Sequence, residues 1–283
     1  MSEKNTNEMK ISNYIVGVGG NLRKTTVAIM KTEFMRYDQD GAPKNQVAVF
    51  VTDNHHRELS AVHGTKTKGK VVPIESDNPR TGVAFFDLRR NNEEIINNIQ
   101  EFEDVDLIQD NPADSVDYQD ASGKIEKFVK QHKKMNRKLI YSMPLVDKKS
   151  LSSVSAIYEM FAGKEISNVL FEFIIFEGTM KDEDSYDEFT EAYAKNKYVN
   201  ALLATGQVKV HAIESVIDKE IGEAYVKKMR FHEIEAENKA KRLKLFDFSA
   251  IEDMYEEYGS QFLRWLPEAR QPATKEVILP IVE

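Results

Sequence analysis

Short apolar runs rich in β-branched residues alternate along the chain with longer segments whose apolar residues recur at helical spacing. Such alternation is typical of α/β domains in which helices join parallel strands. The pattern predicts strands over Ile11 to Val18, Gln46 to Thr52, Lys70 to Ser76, Asp104 to Asp110, Lys138 to Pro144, Asn168 to Phe176 and Gln207 to Ile213. A further range, Val83 to Leu88, fits either a strand or the start of a helix.

The segments between these runs show the periodicity of amphipathic helices. They predict helices over Thr25 to Tyr37, Asn91 to Phe102, Ala121 to Lys134, Leu151 to Phe161 and Asp184 to Ala204. The last of these is expected to break near Lys195. The charged stretch from Val216 to Leu245 is also helical in pattern, and it fits a partly exposed packing helix or a partner-binding helix. The tail after it mixes acidic and aromatic residues and is expected to dock on a partner or to cover the core.

Composition supports a globular protein with a large core. The chain has 283 residues, of which 41% are hydrophobic and 30% are charged, and this balance is not that of a disordered chain. We expect a main α/β domain over residues 1–213. Residues 214–283 are expected to form a helical C-terminal extension that packs on or beside the same domain.

Charge and cysteine content exclude several classes of function. Lys and Arg number 39 against 47 Asp and Glu, which gives a net charge of -8, so DNA contact is not indicated. A local basic face, for example over Lys127 to Lys138, stays open. The chain has no cysteine, which excludes disulfides, thiol catalysis and cysteine-based zinc sites. Neither a transmembrane segment nor a signal peptide is expected, and we predict a cytoplasmic protein.

The most informative stretch is a glycine-containing loop, VGVGGNLRKTTVA, between the first predicted strand and the first predicted helix. A strand that ends in glycines and continues into Lys-Thr-Thr and a helix directs backbone N–H groups and a helix N-terminus at an anion. In such loops the lysine reaches the β- and γ-phosphates and the next hydroxyl binds Mg²⁺. These roles fall to Lys24 and Thr25. The alternative is a glycine turn before an ordinary helix that a threonine caps.

The loop departs from the P-loop pattern G-x-x-x-x-G-K-[ST] at both glycines, because Val18 and Arg23 stand there. A residue with a Cβ is strained wherever the backbone needs a positive φ. If φ of Arg23 is negative, its guanidinium could contact phosphate directly. If φ is positive, the strain costs about 1 to 3 kcal/mol and weakens nucleotide binding about tenfold or more.

The stretch GGNLRKTTVA resembles the deviant Walker A loop of the ParA/MinD superfamily, and more closely the loop of its plasmid-stability StbB and conjugative TraL branch. The residues that match this form are Gly20, Asn21, Leu22, Lys24, Thr25 and Thr26. Arg23 does not match. The superfamily's signature lysine would fall at Gly19 and is absent, which is compatible with the StbB-like branch. The resemblance implies that the loop from Gly20 to Thr26, including Arg23, binds the nucleotide.

Further stretches follow in the order that the superfamily has. VDLIQDNPADS resembles its Walker B strand, which implies that Asp110 holds a water of a Mg²⁺ ion that Thr25 binds. The other interpretation of Asp110 is an acid that caps the following turn. Asp53 matches the acid that orients the attacking water, and Glu75 competes for that role. LIYSMPLVDKKS and ISNVLFEFIIFEG resemble later core segments, so that the resemblance spans Tyr14 to Phe176.

The resemblance implies a P-loop NTPase-like α/β fold, with a mainly parallel sheet between helices. It implies a nucleotide-binding switch or slow Mg-dependent NTPase in plasmid stability, partition or conjugative transfer, with Lys24, Asp53 and Asp110 as catalytic residues. Its cofactors would be ATP or GTP with Mg. Its partner would be a plasmid-encoded protein, and a homodimer with a second copy of the chain is also compatible with the resemblance. The alternative function is an adaptor that has kept the fold and lost the nucleotide. A metabolic kinase or synthetase would need an acceptor pocket that the sequence does not locate.

Overall fold

A computed structural model of the protein describes residues 8–20, 22–38, 41–52, 57–86, 99–113, 125–215, 218–241 and 253–282. The strands in these residues are β1 (Lys10–Ile15), β2 (Val47–Val51), β3 (Lys66–Thr67), β4 (Lys70–Val71), β5 (Ala84–Phe85), β6 (Asp106–Asp110), β7 (Arg137–Leu145), β8 (Val169–Phe176) and β9 (Val208–Ile213). Seven of them form one sheet in the order β5-β2-β6-β1-β7-β8-β9. Every neighbouring pair in this sheet is parallel, and β1 lies between β6 and β7.

The predicted strands are confirmed to within a few residues, except that Lys70 to Ser76 is not a strand of the main sheet. Only Lys70–Val71 is extended, and it pairs antiparallel with Lys66–Thr67. The turn between them has positive φ angles, 51° at Lys68 and 74° at Gly69. Pro73 has no N–H to donate, which disfavours continuation of the ladder. The ambiguous range from Val83 contains a short strand, β5.

The described helices are α1 (Lys24–Arg36), α2 (Glu58–His63), α3 (Ile125–Lys134), α4 (Leu151–Phe161), α5 (Glu183–Lys195), α6 (Lys197–Ala204), α7 (Asp218–Lys227), α8 (Phe231–Lys241) and α9 (Ser260–Ala269). A π-helical turn, Tyr255–Gly259, leads into α9. The expected break near Lys195 is confirmed, because Asn196 Oδ1 accepts N–H bonds from Tyr198 at 2.9 Å and Val199 at 3.1 Å and so starts a new helix. The predicted helix Asn91 to Phe102 lies mostly outside the described residues.

Alternate residues of the strands face opposite sides of the sheet, and each side has a large hydrophobic core; a third, smaller apolar cluster packs on β2 and β6. On β1, Ile11 and Ile15 belong to a core that also contains apolar residues of α1, α2, α7, α8 and α9. Tyr14 belongs to the other core, with apolar residues of α3, α4, α5 and α6. The expected mainly parallel sheet between helices is therefore confirmed, and the architecture is that of a P-loop NTPase-like α/β fold.

The C-terminal part of the chain contributes to the first of these cores. Phe262, Trp265 and Leu266 of α9 are buried in it, so α9 covers the core. The long helix predicted from Val216 is interrupted, because Lys228 takes a φ of 53° between α7 and α8. No helix in the described ranges is both long enough and apolar enough to cross a membrane.

The basic stretch from Lys127 ends inside the protein. The Arg137 side chain is fully buried and donates hydrogen bonds to the carbonyls of Ile11 at 2.8 Å and Val105 at 2.9 Å. Lys138 is also buried. These two residues therefore serve the sheet and do not belong to a basic binding face.

Candidate nucleotide-binding site

The loop between β1 and α1 is tied to neighbouring elements at its start. Val16 donates its N–H to the carbonyl of Ser142 on β7 at 3.0 Å, and Val18 donates its N–H to Ser153 Oγ on α4 at 2.9 Å. The Leu22 side chain is buried and lies close to Gly17, where an added Cβ would be 3.0 Å from Leu22 Cδ1. The loop therefore curls over its own start before α1 begins. The Leu22 side chain therefore packs into the protein and not outward.

Gly19 occupies the position of the absent signature lysine and has a φ of 108°. An L-amino acid with a side chain is strained at this φ, so a lysine at this position would require a different loop path. The carbonyl of Gly19 accepts a hydrogen bond from Lys24 Nζ at 3.1 Å. Lys24 thus folds back over the loop, where a phosphate-binding lysine belongs.

Arg23 has a left-handed backbone, with φ 63° and ψ 19°. The question that the sequence left open is therefore resolved in favour of the positive angle. Its carbonyl accepts the N–H of Val27 at 3.0 Å, so Arg23 is the residue from which the first turn of α1 starts. The strain costs about 1 to 3 kcal/mol relative to glycine, which accepts this conformation freely.

Thr25 and Asp110 meet at the carboxyl ends of two neighbouring parallel strands. Ile15, the last residue of β1, lies opposite Asp110, the last residue of β6. The first turn of α1 brings Thr25 over this edge, and its Oγ1 donates a hydrogen bond to Asp110 Oδ2 at 2.8 Å. Asp110 is buried. The sequence predicted both residues for one Mg²⁺ site, and the fold brings them together.

A set of buried polar groups fixes the end of β6. Thr52 Oγ1 donates to the Asp110 carbonyl at 2.9 Å and lies 3.1 Å from Asn111 Oδ1. Gln109 Nε2 donates to the same Asn111 oxygen at 2.6 Å. The sequence did not predict the roles of these residues, although polar residues that follow an apolar strand are a recognisable signal.

The donor set at this edge suits a hard cation with few protein ligands. Thr25 and Asp110 offer a hydroxyl and a carboxylate oxygen, and Mg²⁺ prefers oxygen, usually with one or two carboxylates and several waters. Within the described ranges, no cluster of three or more His, Asp or Glu side chains is arranged to hold a metal. The arrangement therefore fits a magnesium ion that is shared with phosphate oxygens better than a metal held by protein alone.

The helix itself favours an anion at this edge. The first N–H groups of an α-helix have no intrahelical acceptor and carry partial positive charge. The first turn of α1 contains no acidic residue, and Lys24 and Arg23 add two cations next to it. A polyphosphate is the anion that matches a lysine, a helix N-terminus and an adjacent metal position.

The other residues that the sequence predicted for the nucleotide site either lie outside the described residues or make no contact that indicates their role. Asn21 and Asp53 lie outside the described residues. Gly20 is exposed in the loop, and Thr26 is buried in the first turn of α1. Glu75 is exposed in a turn, and no described hydrogen bond or ion pair joins it to Asp110. The choice between Asp53 and Glu75 stays a prediction.

Comparison with known proteins adds little to this geometry. No protein-family model matches the chain, and no curated protein is significantly similar to it in sequence. A solved structure of a McdA variant from Cyanothece in complex with ATP is similar to this chain, with a TM-score of 0.44 and 13% identity. The similarity covers 89% of this chain and 97% of that one. The resemblance to the StbB and TraL branch stays a prediction.

Proposed function

We propose that this protein binds a Mg-nucleoside triphosphate on the loop from Gly20 to Thr26 and acts as a nucleotide-dependent switch. The observation that carries the proposal is the 2.8 Å hydrogen bond between Thr25 Oγ1 and Asp110 Oδ2, made directly beside Lys24. A helix-capping threonine would bond to the backbone of its own helix. This hydroxyl bonds instead to the acid at the end of the next strand.

The residues of the site have separate tasks in this proposal. Lys24 and the N-terminal amides of α1 bind the β- and γ-phosphates. Thr25 would provide a metal ligand and Asp110 would hold a water of the ion, in place of the hydrogen bond that now joins the two residues. The magnesium ion, when bound, neutralises phosphate charge. The nucleotide is ATP or GTP.

Two features support weak binding and slow hydrolysis. Arg23 has a Cβ and a long side chain at the position where the P-loop pattern has a glycine that lets the backbone approach the phosphates closely. Gly19 has no side chain to offer where the superfamily has its signature lysine. In this proposal the protein responds to bound nucleotide mainly by a change of conformation. Hydrolysis is slow, and Asp53 or Glu75 orients the attacking water.

The biological setting is the finer part of the proposal. By the resemblance of its loop, the switch acts in plasmid stability, partition or conjugative transfer, with a plasmid-encoded partner protein. Nucleotide would set the conformation of the segments after β2 and β6 and so the affinity for that partner or for a second copy. Turnover that rises with small acceptor molecules, and not with partner protein or DNA, would instead favour a metabolic kinase or synthetase.

One observation favours a second candidate, an adaptor without nucleotide. Arg23 is strained where glycine would not be, which is expected of a loop no longer selected for phosphate binding. In that case the described helices α7, α8 and α9 would carry the partner-binding surface.

Thermal unfolding with and without Mg-ATP or Mg-GTP tests the proposal, because a ligand that binds only the folded state raises the midpoint. The wild type is compared with Lys24→Ala and with Lys10→Ala, which removes a lysine at the opposite end of β1. We expect millimolar Mg-nucleotide to stabilise the wild type and Lys10→Ala, and to leave Lys24→Ala unchanged. Equal responses of all three proteins, or none, would contradict the proposal and favour the adaptor.

A further inference from the structure

A fully buried ion pair lies beneath α1. Lys31 of α1 and Glu172 of β8 have no exposed side-chain surface, and the Lys31 ammonium contacts a Glu172 carboxylate oxygen directly. The same ammonium donates to Ser142 Oγ on β7 at 2.8 Å and to Asn13 Oδ1 on β1. An ammonium has three N–H donors. Those of Lys31 thus reach three adjacent strands of the sheet.

This pair is better suited to fixing position than to adding stability. Taking two charges out of water costs several kcal/mol per ion, so an apolar pair of similar volume often stabilises a fold as well or better. Directional hydrogen bonds fix the position of a helix more narrowly than apolar packing does, because they form at only one axial position and one rotation of the helix. The contacts of Lys31 therefore define how α1 sits on the sheet.

The C-terminal part of the chain encloses the pair. The Tyr258 hydroxyl donates to Glu172 Oε1 at 2.9 Å, and His211 Nε2 of β9 lies 3.2 Å from the same oxygen. The Phe262 ring centroid is 4.5 Å from Lys31 Nζ. Tyr258 and Phe262 thus supply a polar contact to one ion and an aromatic face to the other.

The contacts of Glu172 favour its ionised form, whereas burial lowers the pKa of the Lys31 ammonium and the Glu172 carboxylate opposes that lowering. Burial alone would raise the pKa of the Glu172 carboxyl, but the Lys31 ammonium, with His211, lowers it to about 2. Burial also raises the pKa of the Tyr258 hydroxyl well above its ordinary value, and the neighbouring Glu172 carboxylate raises it further. Tyr258 therefore remains a hydrogen-bond donor to a charged carboxylate at neutral pH.

Lys31 lies on the same face of α1 as the phosphate-binding lysine. It follows Lys24 by two helical turns, about 10 Å along the axis, and a short helix moves as a rigid unit over that distance. A shift of α1 at Lys31 therefore appears as a similar shift of Lys24 and Thr25 at the loop.

We propose that Tyr258 and Phe262 are positioning residues for the nucleotide site: by enclosing the Lys31–Glu172 pair they hold α1 where Lys24 and Thr25 can bind the phosphates and the metal. The C-terminal π-turn and α9 thus support the nucleotide site through α1 and do not contact the nucleotide themselves. This inference rests on the proposed function, and it makes the C-terminal segment the element through which a partner could alter nucleotide affinity.

Tyr258→Phe tests the inference because it removes only the hydroxyl. Tyr158→Phe is the matched control, because Tyr158 is also a buried tyrosine and its hydroxyl accepts the N–H of Val282 at 2.7 Å. This hydroxyl holds the C-terminal tail and does not contact α1. We expect Tyr258→Phe to weaken Mg-ATP binding on the order of fivefold, the equivalent of one buried hydrogen bond. We expect Tyr158→Phe to bind as the wild type does, even if both variants lower the unfolding midpoint equally.

A double variant separates positioning from general loosening. If Tyr258 acts through the ion pair, Tyr258→Phe should cause no further loss of affinity in a Lys31→Met background, because both residues bind the Glu172 carboxylate and the effects of residues in one network are not additive. Independent losses that multiply in the double variant would overturn the inference, as would equal affinities of Tyr258→Phe and Tyr158→Phe.

Hydrogen exchange in the nucleotide-free protein keeps this inference distinct from the proposed function. Tyr258→Phe should speed amide exchange over Val27 to Met30 of α1, and Tyr158→Phe should not. If the wild type binds no nucleotide, the proposed function fails, and the exchange comparison still decides whether the C-terminal segment positions α1. Unchanged exchange over these amides in Tyr258→Phe would overturn the positioning role.

Discussion

The hydroxyl of Thr25 lies 2.8 Å from Asp110 Oδ2 and joins the first turn of α1 to the end of the neighbouring strand β6. The two residues are far apart in sequence and meet only because β1 and β6 are adjacent and parallel. A hydroxyl and a carboxylate at this edge, next to Lys24, form the smallest unit of a magnesium–phosphate site that the chain could build.

Removal of the Thr25 hydroxyl or of the Asp110 charge should weaken the response to the metal more than the response to the nucleotide. In Thr25→Val and Asp110→Asn, we expect the affinity for ATP to gain little from added Mg²⁺, because the first variant loses a metal ligand and the second loses the charge that holds a water of the metal. Titration of ATP with and without Mg²⁺ measures this gain. Thr32→Val is the control, since Thr32 is buried on the same helix and donates only to the Ala28 carbonyl at 2.7 Å. A Mg²⁺ effect equal to that of the control would argue against the metal site.

Arg23→Gly should stabilise the folded protein. Relief of strain at a φ of 63° gains about 1 to 3 kcal/mol, and the greater freedom of glycine in the unfolded chain returns about 0.4 to 1 kcal/mol of it. The net increase in the free energy of unfolding, about 1 kcal/mol, is measured by urea denaturation. Arg23→Ala removes the same charge but keeps a Cβ, so it should show little of the gain. Equal stabilities for the two variants would show that the charge, and not the backbone, matters.

The fold was largely predictable because hydrophobic periodicity reports which faces are buried. The ranges of β7, α4 and β8 were predicted nearly residue by residue, because β7 and β8 contain apolar runs and the apolar residues of α4 recur at helical spacing. Lys70 to Ser76 was mispredicted because Pro73 cannot donate to a ladder, and the residues after it, Ile74 to Ser76, form a turn in spite of their apolar start.

The sequence predicted which residues form the candidate nucleotide site, but not the backbone conformation of the loop that holds them. The pairing of Lys24 and Thr25 with Asp110 follows from motif order, whereas the sign of φ at Arg23 depends on how the whole loop closes. The buried Lys31–Glu172 pair was missed, although an acid inside the apolar run VLFEFIIF was a signal for a buried partner. Its partner lies on a distant helix, which a single sequence does not reveal.

Gly259→Ala should destabilise the protein even though alanine favours helices. An added Cβ would lie 2.8 Å from Phe34 Cε1 of α1, and overpacking of this kind costs about 1 to 3 kcal/mol. The gain in helix propensity, about 1 kcal/mol, offsets only part of this cost. Thermal unfolding should show a lower midpoint, and Phe34→Leu should restore some of it in the double variant. A higher midpoint for Gly259→Ala alone would contradict the close packing of the C-terminal segment on α1.

The stability of the protein should fall as the pH drops below 6.5, in part because of His132. Burial lowers the pKa of this imidazole from 6.5 to about 3, so the folded protein keeps it neutral while the unfolded chain binds a proton. Stability is therefore complete above the unfolded pKa and decreases as pH falls towards the folded one. Between pH 6.5 and pH 5 the loss from this residue is about 2 kcal/mol. Urea denaturation at both pH values should show a smaller loss in His132→Gln, and an equal loss would contradict the burial of a neutral histidine.

The most direct test of the central claim is a calorimetric titration of Mg-ATP into the wild type, Lys24→Ala and Arg23→Gly under one set of conditions. We predict weak binding to the wild type, none to Lys24→Ala, and tighter binding to Arg23→Gly, because glycine lets the loop backbone approach the phosphates more closely. If none of the three proteins binds Mg-ATP or Mg-GTP at millimolar concentration, the loop does not bind nucleotide and the proposed switch is wrong.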